Sequence, residues 1–260
     1  QLAAEAAVTA RDVPVDDLRR LWPLEVGTNA RDWVTRNLSH GVVNEATATV
    51  GLAGPLDRPE EIVRTHFDAT IRGDDVTVDY FHPLPVVTGA GLEATTDGKT
   101  FAIRTKGGRI DDVQLGDGTV VISGLDNDKE AIEVQLPVRG PVRTILTVID
   151  SPPLGYPSRL DLDPKRTQGT ADAQLHIKFP LLVDLKVADL NLDVAAKLRG
   201  VGIEKVAAGL TATEGDLSLA LDMSAMSVKG NTKLDGIPVA IDWKEQFSST
   251  AKGPRTRITV

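Results

Sequence analysis

Apolar and polar residues alternate along most of this chain. In an extended strand, neighbouring side chains point to opposite faces, so a period of two gives one apolar face and one polar face. This pattern is typical of an antiparallel sheet that is wetted on one side. The apolar positions are Ala46, Ala48, Val50 and Leu52; Phe67, Ala69 and Ile71; Ile132, Val134, Leu136 and Val138; Ala173, Leu175, Ile177 and Phe179; and Leu217, Leu219, Leu221 and Met223. The sequence therefore predicts a mainly β protein.

Three short segments instead repeat apolar residues at helical spacing. We predict a helix over about Val15–Trp22, ended by Pro23, and a second over about Ala30–His40. A third is predicted to begin at Pro141 and to stop at Ser151. Each is short and apolar on one side only, so we expect lids or end-caps rather than a layer that covers the sheet.

Glycine and aspartate mark the predicted reversals between strands. Gly73-Asp74-Asp75, Gly116-Asp117-Gly118 and Gly215-Asp216 each precede an alternating segment, which predicts a tight turn followed by a strand. Their irregular spacing favours a meander of variable hairpins over a fixed-period solenoid. We expect residues 1–260 to form a single elongated fragment, with a hinge or edge crossing near the proline-rich residues 151–164.

Composition excludes several classes of function. Aromatic residues make up only 4% of the chain, too few for a sugar-binding cleft or a base-stacking surface. The net charge is −8 with both signs interspersed, which argues against nucleic acid as a partner. There is no cysteine, so disulfides and thiolate chemistry are excluded. The four histidines, His40, His66, His82 and His176, have no metal-ligand spacing, and we expect no metal and no cofactor.

The ends of the chain suggest a piece of a larger protein. It opens on Gln1 and stops at Arg257-Ile258-Thr259-Val260, which has the composition of an unfinished strand. No apolar run approaches the roughly 18–20 residues that span a bilayer. We expect targeting and anchoring segments, where the parent protein has them, to lie outside this fragment.

Periodicity alone leaves two arrangements open for the apolar face. A conventional β-sandwich would bury it against a second sheet. A curved sheet would leave its concave side partly open and hold an apolar ligand there. The pattern by itself favours the sandwich.

Several ordered strings resemble the AsmA-like envelope proteins, particularly the YhdP-type branch, which is related in architecture to TamB. The strings are Leu21-Trp22-Pro23, Asn29-Ala30-Arg31-Asp32-Trp33-Val34, Gly41-Val42-Val43-Asn44-Glu45-Ala46, Ser151-Pro152-Pro153-Leu154 with Gly155-Tyr156-Pro157 and Asp163-Pro164, the stretch from Gly169 to Phe179-Pro180-Leu181, Gly215-Asp216-Leu217, Val228-Lys229-Gly230, Leu234-Asp235-Gly236-Ile237-Pro238-Val239 and Trp243-Lys244-Glu245. The resemblance covers roughly residues 14–247, and the order of the motifs carries it.

This resemblance implies a long curved antiparallel sheet that forms an open hydrophobic trough, or β-groove, with a few short α-helices. It implies a lipid-binding segment that shields phospholipid acyl chains during transport between the inner and outer membranes and supports outer-membrane integrity. The implied location is the periplasm of a Gram-negative bacterium, in a protein whose inner-membrane anchor is not in this fragment. The implied partners are phospholipid acyl chains, both membranes through the full-length protein, and other envelope proteins.

We expect no catalytic residue, and the candidate site residues are apolar strand positions. The predicted trough lining is Val113, Leu115, Val120, Ile122, Ile132, Val134, Leu219 and Leu221. For each of these, ordinary core packing is the alternative.

Two rival functions are open at this point. One is a β-sandwich that serves as a scaffold or interaction module of the cell envelope without lipid. The other is a β-rich hydrolase that uses paired carboxylates, with Asp161 and Asp163 or the pair Asp111-Asp112 as candidates. Each of these aspartates lies in a turn-like context where acidic residues are common, so a structural role is favoured.

Overall fold

The computed structural model describes residues 2–22, 24, 28–55, 57–127, 129–159, 162–181, 189–207, 209–247 and 256–260. Pro23 and Asp161, which entered the predictions above, lie outside the described residues. The chain is mainly β, with 65% strand and 15% helix, and its strands belong to one antiparallel sheet of 16 strands. The predicted mainly β antiparallel class with a few short helices is confirmed.

The strands lie between short helical segments. The strands are β1 (Leu2–Pro14), β2 (Leu38–Ser39), β3 (Val42–Gly54), β4 (Val63–Val78), β5 (Val87–Thr96), β6 (Thr100–Lys106), β7 (Arg109–Ile110), β8 (Val113–Leu115), β9 (Gly118–Ser123), β10 (Ala131–Pro141), β11 (Thr167–Pro180), β12 (Asn191–Ala207), β13 (Leu210–Asp222), β14 (Ala225–Leu234), β15 (Ile237–Gln246) and β16 (Thr256–Thr259). The helices are α1 (Leu18–Leu21), α2 (Thr28–Asn37), α3 (Val142–Asp150) and α4 (Tyr156–Arg159), with 3₁₀ turns at Val15–Asp17, Pro59–Glu61 and Pro164–Arg166.

All three predicted helices are present, with shifted ends. The first is a 3₁₀ turn that leads into α1. The second, α2, ends at Asn37 rather than His40, because Leu38 and Ser39 leave the helix to pair with β4. The third, α3, begins one residue after Pro141, whose backbone is extended. The short helix α4 was not predicted.

The chain divides into two compact units. Unit 1 comprises Gln1–Tyr80, Val86–Gly108 and Asp117–Glu133, and unit 2 comprises Phe81–Pro85, Arg109–Gly116 and Val134–Val260. The prediction of a single elongated fragment with a hinge near residues 151–164 stays a prediction.

In unit 1 the strands follow the order β1-β3-β4-β5-β6-β9, and each neighbouring pair is antiparallel. A small core lies at one end of these strands, where Val15, Val43 and Val76 are buried together. Leu18 of α1 and Leu38 of β2 pack against it. The helical segment that follows β1 therefore covers one end of the apolar face.

In unit 2 the order is β11-β12-β13-β14-β15-β16, again with antiparallel neighbours. Its core consists of Val142, Ala171 and Val201, and Ile145 and Leu146 of α3 pack against it. Helix α3 thus occupies one end of the apolar face of its unit, as the predicted end-cap would.

Two of the three predicted turns are wrong. Gly73-Asp74-Asp75 lies inside β4 and Gly215-Asp216 lies inside β13, and both strands continue through these residues. The register with the next strand shifts there, between Gly73 and Val76 in β4 and between Thr213 and Asp216 in β13. These are β-bulges, which need the same positive φ or small side chain as a turn and so share its composition. Gly116-Asp117-Gly118 does separate two strands, β8 and β9.

The bulges change which residues share a face. Each inserts one extra residue, so the period of two is interrupted at that point. Val43 and Ala46 are three residues apart, so in a regular strand they would point to opposite faces. They nevertheless belong to the same apolar cluster of unit 1, because the register shifts between them. Leu198 and Val201 have the same relationship in the cluster of unit 2.

Candidate functional site

Cross-strand register arranges the apolar residues of unit 1 in rows on one face of its sheet. Residues directly opposite each other in a ladder point to the same face, so a row can be followed from strand to strand. One row is Ala10, Ala46, Ile71, Ala94, Ile103 and Val120, and the next is Val8, Ala48, Ala69, Thr96, Phe101 and Ile122. With the exception of Thr96, these rows are entirely apolar.

Unit 2 has the same arrangement with larger side chains. Its first row, beneath α3, is Ala171, Leu198, Leu217, Gly230 and Ile241; its second row is Ala173, Ala196, Leu219, Val228, Trp243 and Ile258; and its third row is Leu175, Val194, Leu221, Met226, Glu245 and Thr256. Aliphatic side chains fill most of these positions. One face of each unit is therefore a continuous apolar surface several strands wide.

The apolar rows are only partly covered. The described strands all belong to one sheet, so neither unit has a second sheet to close over them. Most row residues, including Ile103 and Leu219, are half-buried rather than buried.

The eight residues predicted to line a trough fall in different places. Val120 and Ile122 occupy neighbouring rows of unit 1, and both are half-buried. Leu219 and Leu221 occupy neighbouring rows of unit 2 and are also half-buried. The structure brings the members of each pair together on an apolar face.

The other four lie in β8 and β10. Ile132, Val134 and Leu115 are half-buried. Val113 is only 4% exposed and packs beside Gly140, where an added Cβ would meet the Val113 side chain at 2.9 Å. Contact of any of the eight residues with lipid stays a prediction.

Sequence reasoning missed several members of the same rows. Phe101 and Ile103 of β6 lie opposite Ile122 and Val120, and Trp243 of β15 lies opposite Val228. The signal was only partial, because Thr100 and Arg104 flank Phe101 and Ile103 but the residue between them, Ala102, is apolar.

Charged residues form a ladder on the opposite face of unit 1. Arg11, Glu45, Arg72, Glu93 and Arg104 are cross-strand neighbours, each one position away from a residue of the first apolar row. The Arg11 Nε–H donates to Glu45 Oε1 at 3.0 Å, and Arg72 donates to the other oxygen of the same carboxylate. Opposite charges directly across a ladder stabilise the pairing.

These contacts set the ionisation of the two glutamates. The hydrogen bond from Arg11, followed by the positive charge of Arg72, holds the pKa of Glu45 below its ordinary value. Lys106, whose Nζ lies 2.5 Å from Glu93 Oε1, lowers the pKa of Glu93 through its hydrogen bond and its charge. Both carboxylates are therefore ionised at neutral pH.

A polar cleft of about 430 Å³ lies beside this ladder. Its lining includes Glu45, Glu93, Arg72 and, at the bulges, Asp12 and Asp74. Glycoside hydrolysis needs one carboxyl that stays protonated, which requires a raised pKa. The two glutamates have lowered pKa values, so neither of them supplies this acid.

Two of the aspartates considered for a hydrolase, Asp163 and Asp111, have structural roles. Asp163 accepts a hydrogen bond from the Lys165 backbone N–H at 2.9 Å and caps the 3₁₀ turn Pro164–Arg166. Asp111 has a φ of 52° in the turn between β7 and β8, a conformation that aspartate tolerates better than most residues. Asp161 lies outside the described residues.

Unit 2 carries a comparable polar ladder. Asp172, Lys197, Ser218, Lys229 and Asp242 are cross-strand neighbours on the face opposite to its apolar rows. Lys197 Nζ donates to Ser218 Oγ at 2.8 Å, and Lys229 Nζ lies 3.2 Å from Asp242 Oδ2. Both units thus combine an apolar face with a charged face that holds neighbouring strands in register.

Fold and surface together define the class: an antiparallel-sheet protein with one open apolar face and one charged face. The sequence matches the family of YhdP proteins over residues 1–260. The chain therefore belongs to the YhdP family, and the resemblance noted from its motifs is confirmed. This is an envelope lipid-transport family and not a known enzyme family. No curated protein and no solved structure matched the chain. None of the described helices has the length and apolarity to cross a bilayer.

Proposed function

We propose that the apolar rows form the wall of an open trough that shields phospholipid acyl chains on their way between the inner and outer membranes. The protein acts in the periplasm of a Gram-negative envelope, as part of a longer chain anchored in the inner membrane, and so supports outer-membrane integrity. The observation that carries this proposal is the continuous, half-exposed apolar surface in both units of a YhdP-family chain.

The chemistry of this surface suits a chain that must move. Covering a methylene group releases about 0.8 kcal/mol relative to water, so an acyl chain gains substantially from lying along the rows. Almost all of the row side chains are hydrocarbon and form no hydrogen bond that would hold an acyl chain at one position. Shielding and sliding are therefore compatible. The partners are the acyl chains, the two membranes through the full-length protein, and other envelope proteins.

Bound lipid is the direct test. The 260-residue chain would be purified from a bacterial envelope, extracted with organic solvent and analysed for phospholipid by mass spectrometry. A photocrosslinking residue would replace Val120 or Ile122 on the apolar face. Thr119 and Val121, which point to the other face of the same strand, provide matched controls.

We expect lipid adducts at alternate positions, at residues 120 and 122 but not at 119 and 121. Absence of both copurified lipid and adducts would favour the rival function, a scaffold or interaction module of the envelope that works without lipid.

A further inference from the structure

One carboxylate lies within the apolar rows of unit 2. Glu245 is in the third row, on the same face as Trp243 and directly opposite Met226. It is 9% exposed, and Met226 is 7% exposed. The rest of the row up to this point, from Leu175 to Met226, is apolar.

Burial of a carboxylate is unfavourable unless a cation compensates it. Among the described residues, the polar contact of Glu245 is the indole N–H of Trp243, which donates to Oε2 at 3.4 Å. That donor carries no charge. The nearest lysine in the sequence, Lys244, points to the other face, and Lys229 is paired with Asp242 there. The described part of this face therefore provides a carboxyl group without a cationic partner.

The position of Glu245 along the strands is informative. Helix α3 packs on the first row, against Ala171, Leu198 and Leu217. Glu245 lies two rows away, beside the hairpin that joins β13 to β14, where the Phe247 N–H donates to the Ser224 carbonyl at 2.8 Å. The carboxylate thus lies toward the end of the apolar rows away from α3, where no described helix packs on them. A phospholipid whose tails lie on the rows would carry its headgroup past this end.

We propose that Glu245 and Trp243 form a subsite for the ammonium headgroup of an aminophospholipid. The carboxylate pairs with the ammonium through charge-assisted hydrogen bonds. The indole face of Trp243 attracts the same cation, since the ring quadrupole is negative on its face. The subsite rests on the proposed acyl-chain function and adds a preference for one headgroup class.

Competition between two lipids with the same tails tests the subsite. Dipalmitoyl phosphatidylethanolamine carries the amine, and dipalmitoyl phosphatidylglycerol lacks it. Both would be offered from detergent micelles to the 260-residue chain, and the bound fractions counted by native mass spectrometry. We expect the wild type to prefer the amine lipid about tenfold, the ratio given by one well-formed charged contact. Glu245→Gln should reduce the ratio to near one while phosphatidylglycerol binding is retained.

Two further variants keep the result decisive. Trp243→Phe retains an apolar ring but loses the N–H and the stronger indole face. Its ratio of bound amine lipid to phosphatidylglycerol should therefore fall between those of the wild type and Glu245→Gln. Glu204→Gln removes an exposed carboxylate of the same unit and should keep the wild-type ratio. Circular dichroism checks that each variant is folded. If Glu245→Gln does not fold, the lipid ratio of Trp243→Phe tests the subsite instead.

The failures are distinguishable. If the wild type binds both lipids equally, or if folded Glu245→Gln keeps the tenfold preference, the subsite is overturned while acyl-chain shielding stands. If the wild type binds neither lipid, the proposed function itself is overturned.

Discussion

Arg11 and Glu45 face each other across β1 and β3, and the Arg11 Nε–H donates to Glu45 Oε1 at 3.0 Å. Ala10 and Ala46, one position away in each strand, lie opposite each other on the apolar face. A slip of one residue would exchange the two faces, placing the charges among the apolar rows. The ion pair and the apolar row therefore specify the same register from opposite sides of the sheet.

The first prediction concerns this ion pair. Glu45→Gln removes the charge that Arg11 and Arg72 contact, so we expect a modest fall in Tm at neutral pH. Because the pKa of Glu45 is held below its ordinary value of 4.5, its stabilising contribution is present above that pH and is lost as the pH falls through the folded-state pKa. The Tm difference between wild type and variant should therefore shrink on acidification, which thermal melts at a series of pH values measure. Glu60→Gln, at an exposed carboxylate of unit 1, should show a smaller difference at every pH.

The second prediction distinguishes an open face from a closed core. Leu219→Asp places a charge in the second row between Ala196 and Val228. On an open face the aspartate reaches water, so the chain stays folded but loses bound lipid. Ser218→Asp, one position away on the polar face and beside Lys197 and Lys229, should keep its lipid. Circular dichroism and lipid mass spectrometry give the two readouts. Unfolding of Leu219→Asp alone would place Leu219 in a sealed core, where an unpaired carboxylate costs several kcal/mol.

The third prediction concerns a glycine within β14. Gly230 has a φ of 148°, and an added Cβ would clash with the Asp216 carbonyl oxygen of the neighbouring strand. Gly230→Ala should lower the free energy of unfolding by about 1–3 kcal/mol, because both the backbone conformation and the contact are unfavourable. Gly236 also has a positive φ, 84°, but an added Cβ there meets nothing within 4 Å. Gly236→Ala should therefore cost only about 1 kcal/mol in urea unfolding. Equal losses for the two variants would show that the close approach of β13 does not matter.

The fourth prediction tests the two small cores separately. Val76 is 1% exposed in unit 1 and Val201 is 3% exposed in unit 2. Replacing either valine by alanine removes two buried methyl groups and should lower the free energy of unfolding by about 1–3 kcal/mol. Hydrogen exchange should show the loss of protection of Val76→Ala mainly in β3 and β4, and that of Val201→Ala mainly in β11 to β13. Loss of protection throughout the chain in both variants would show instead that the units unfold as one.

Much of the local structure could be predicted from short-range pattern. The alternation in Leu217, Leu219 and Leu221 places them on one face, and the register with β12 and β14 confirms it. Helical spacing located α3 to within a residue at either end. These features depend on side-chain direction within a single element, which the backbone geometry of that element determines.

The candidate site was predicted less completely. Val120 and Leu219 were named, but Phe101 and Val228, which occupy the same rows, were not. Recognition of a row requires the register between strands that are distant in sequence. Glu245 is the extreme case, since its alternation partner Trp243 is visible in the sequence but its burial beside Met226 is a property of the assembled sheet.

By itself, the sequence determined that the chain is built from strands with one apolar and one polar face, and it located α1, α2 and α3 but not α4. Only the tertiary structure decided that Gly73-Asp74-Asp75 and Gly215-Asp216 are bulges rather than turns. A glycine–aspartate pair satisfies the backbone demands of either, so its local chemistry does not distinguish them. The pair forms a bulge where the neighbouring strand continues to pair beyond it, and a turn where that pairing stops. Register shifts beside Val43 and Val201 likewise depend on the neighbouring strand, and they decide which face of the sheet the next residues occupy.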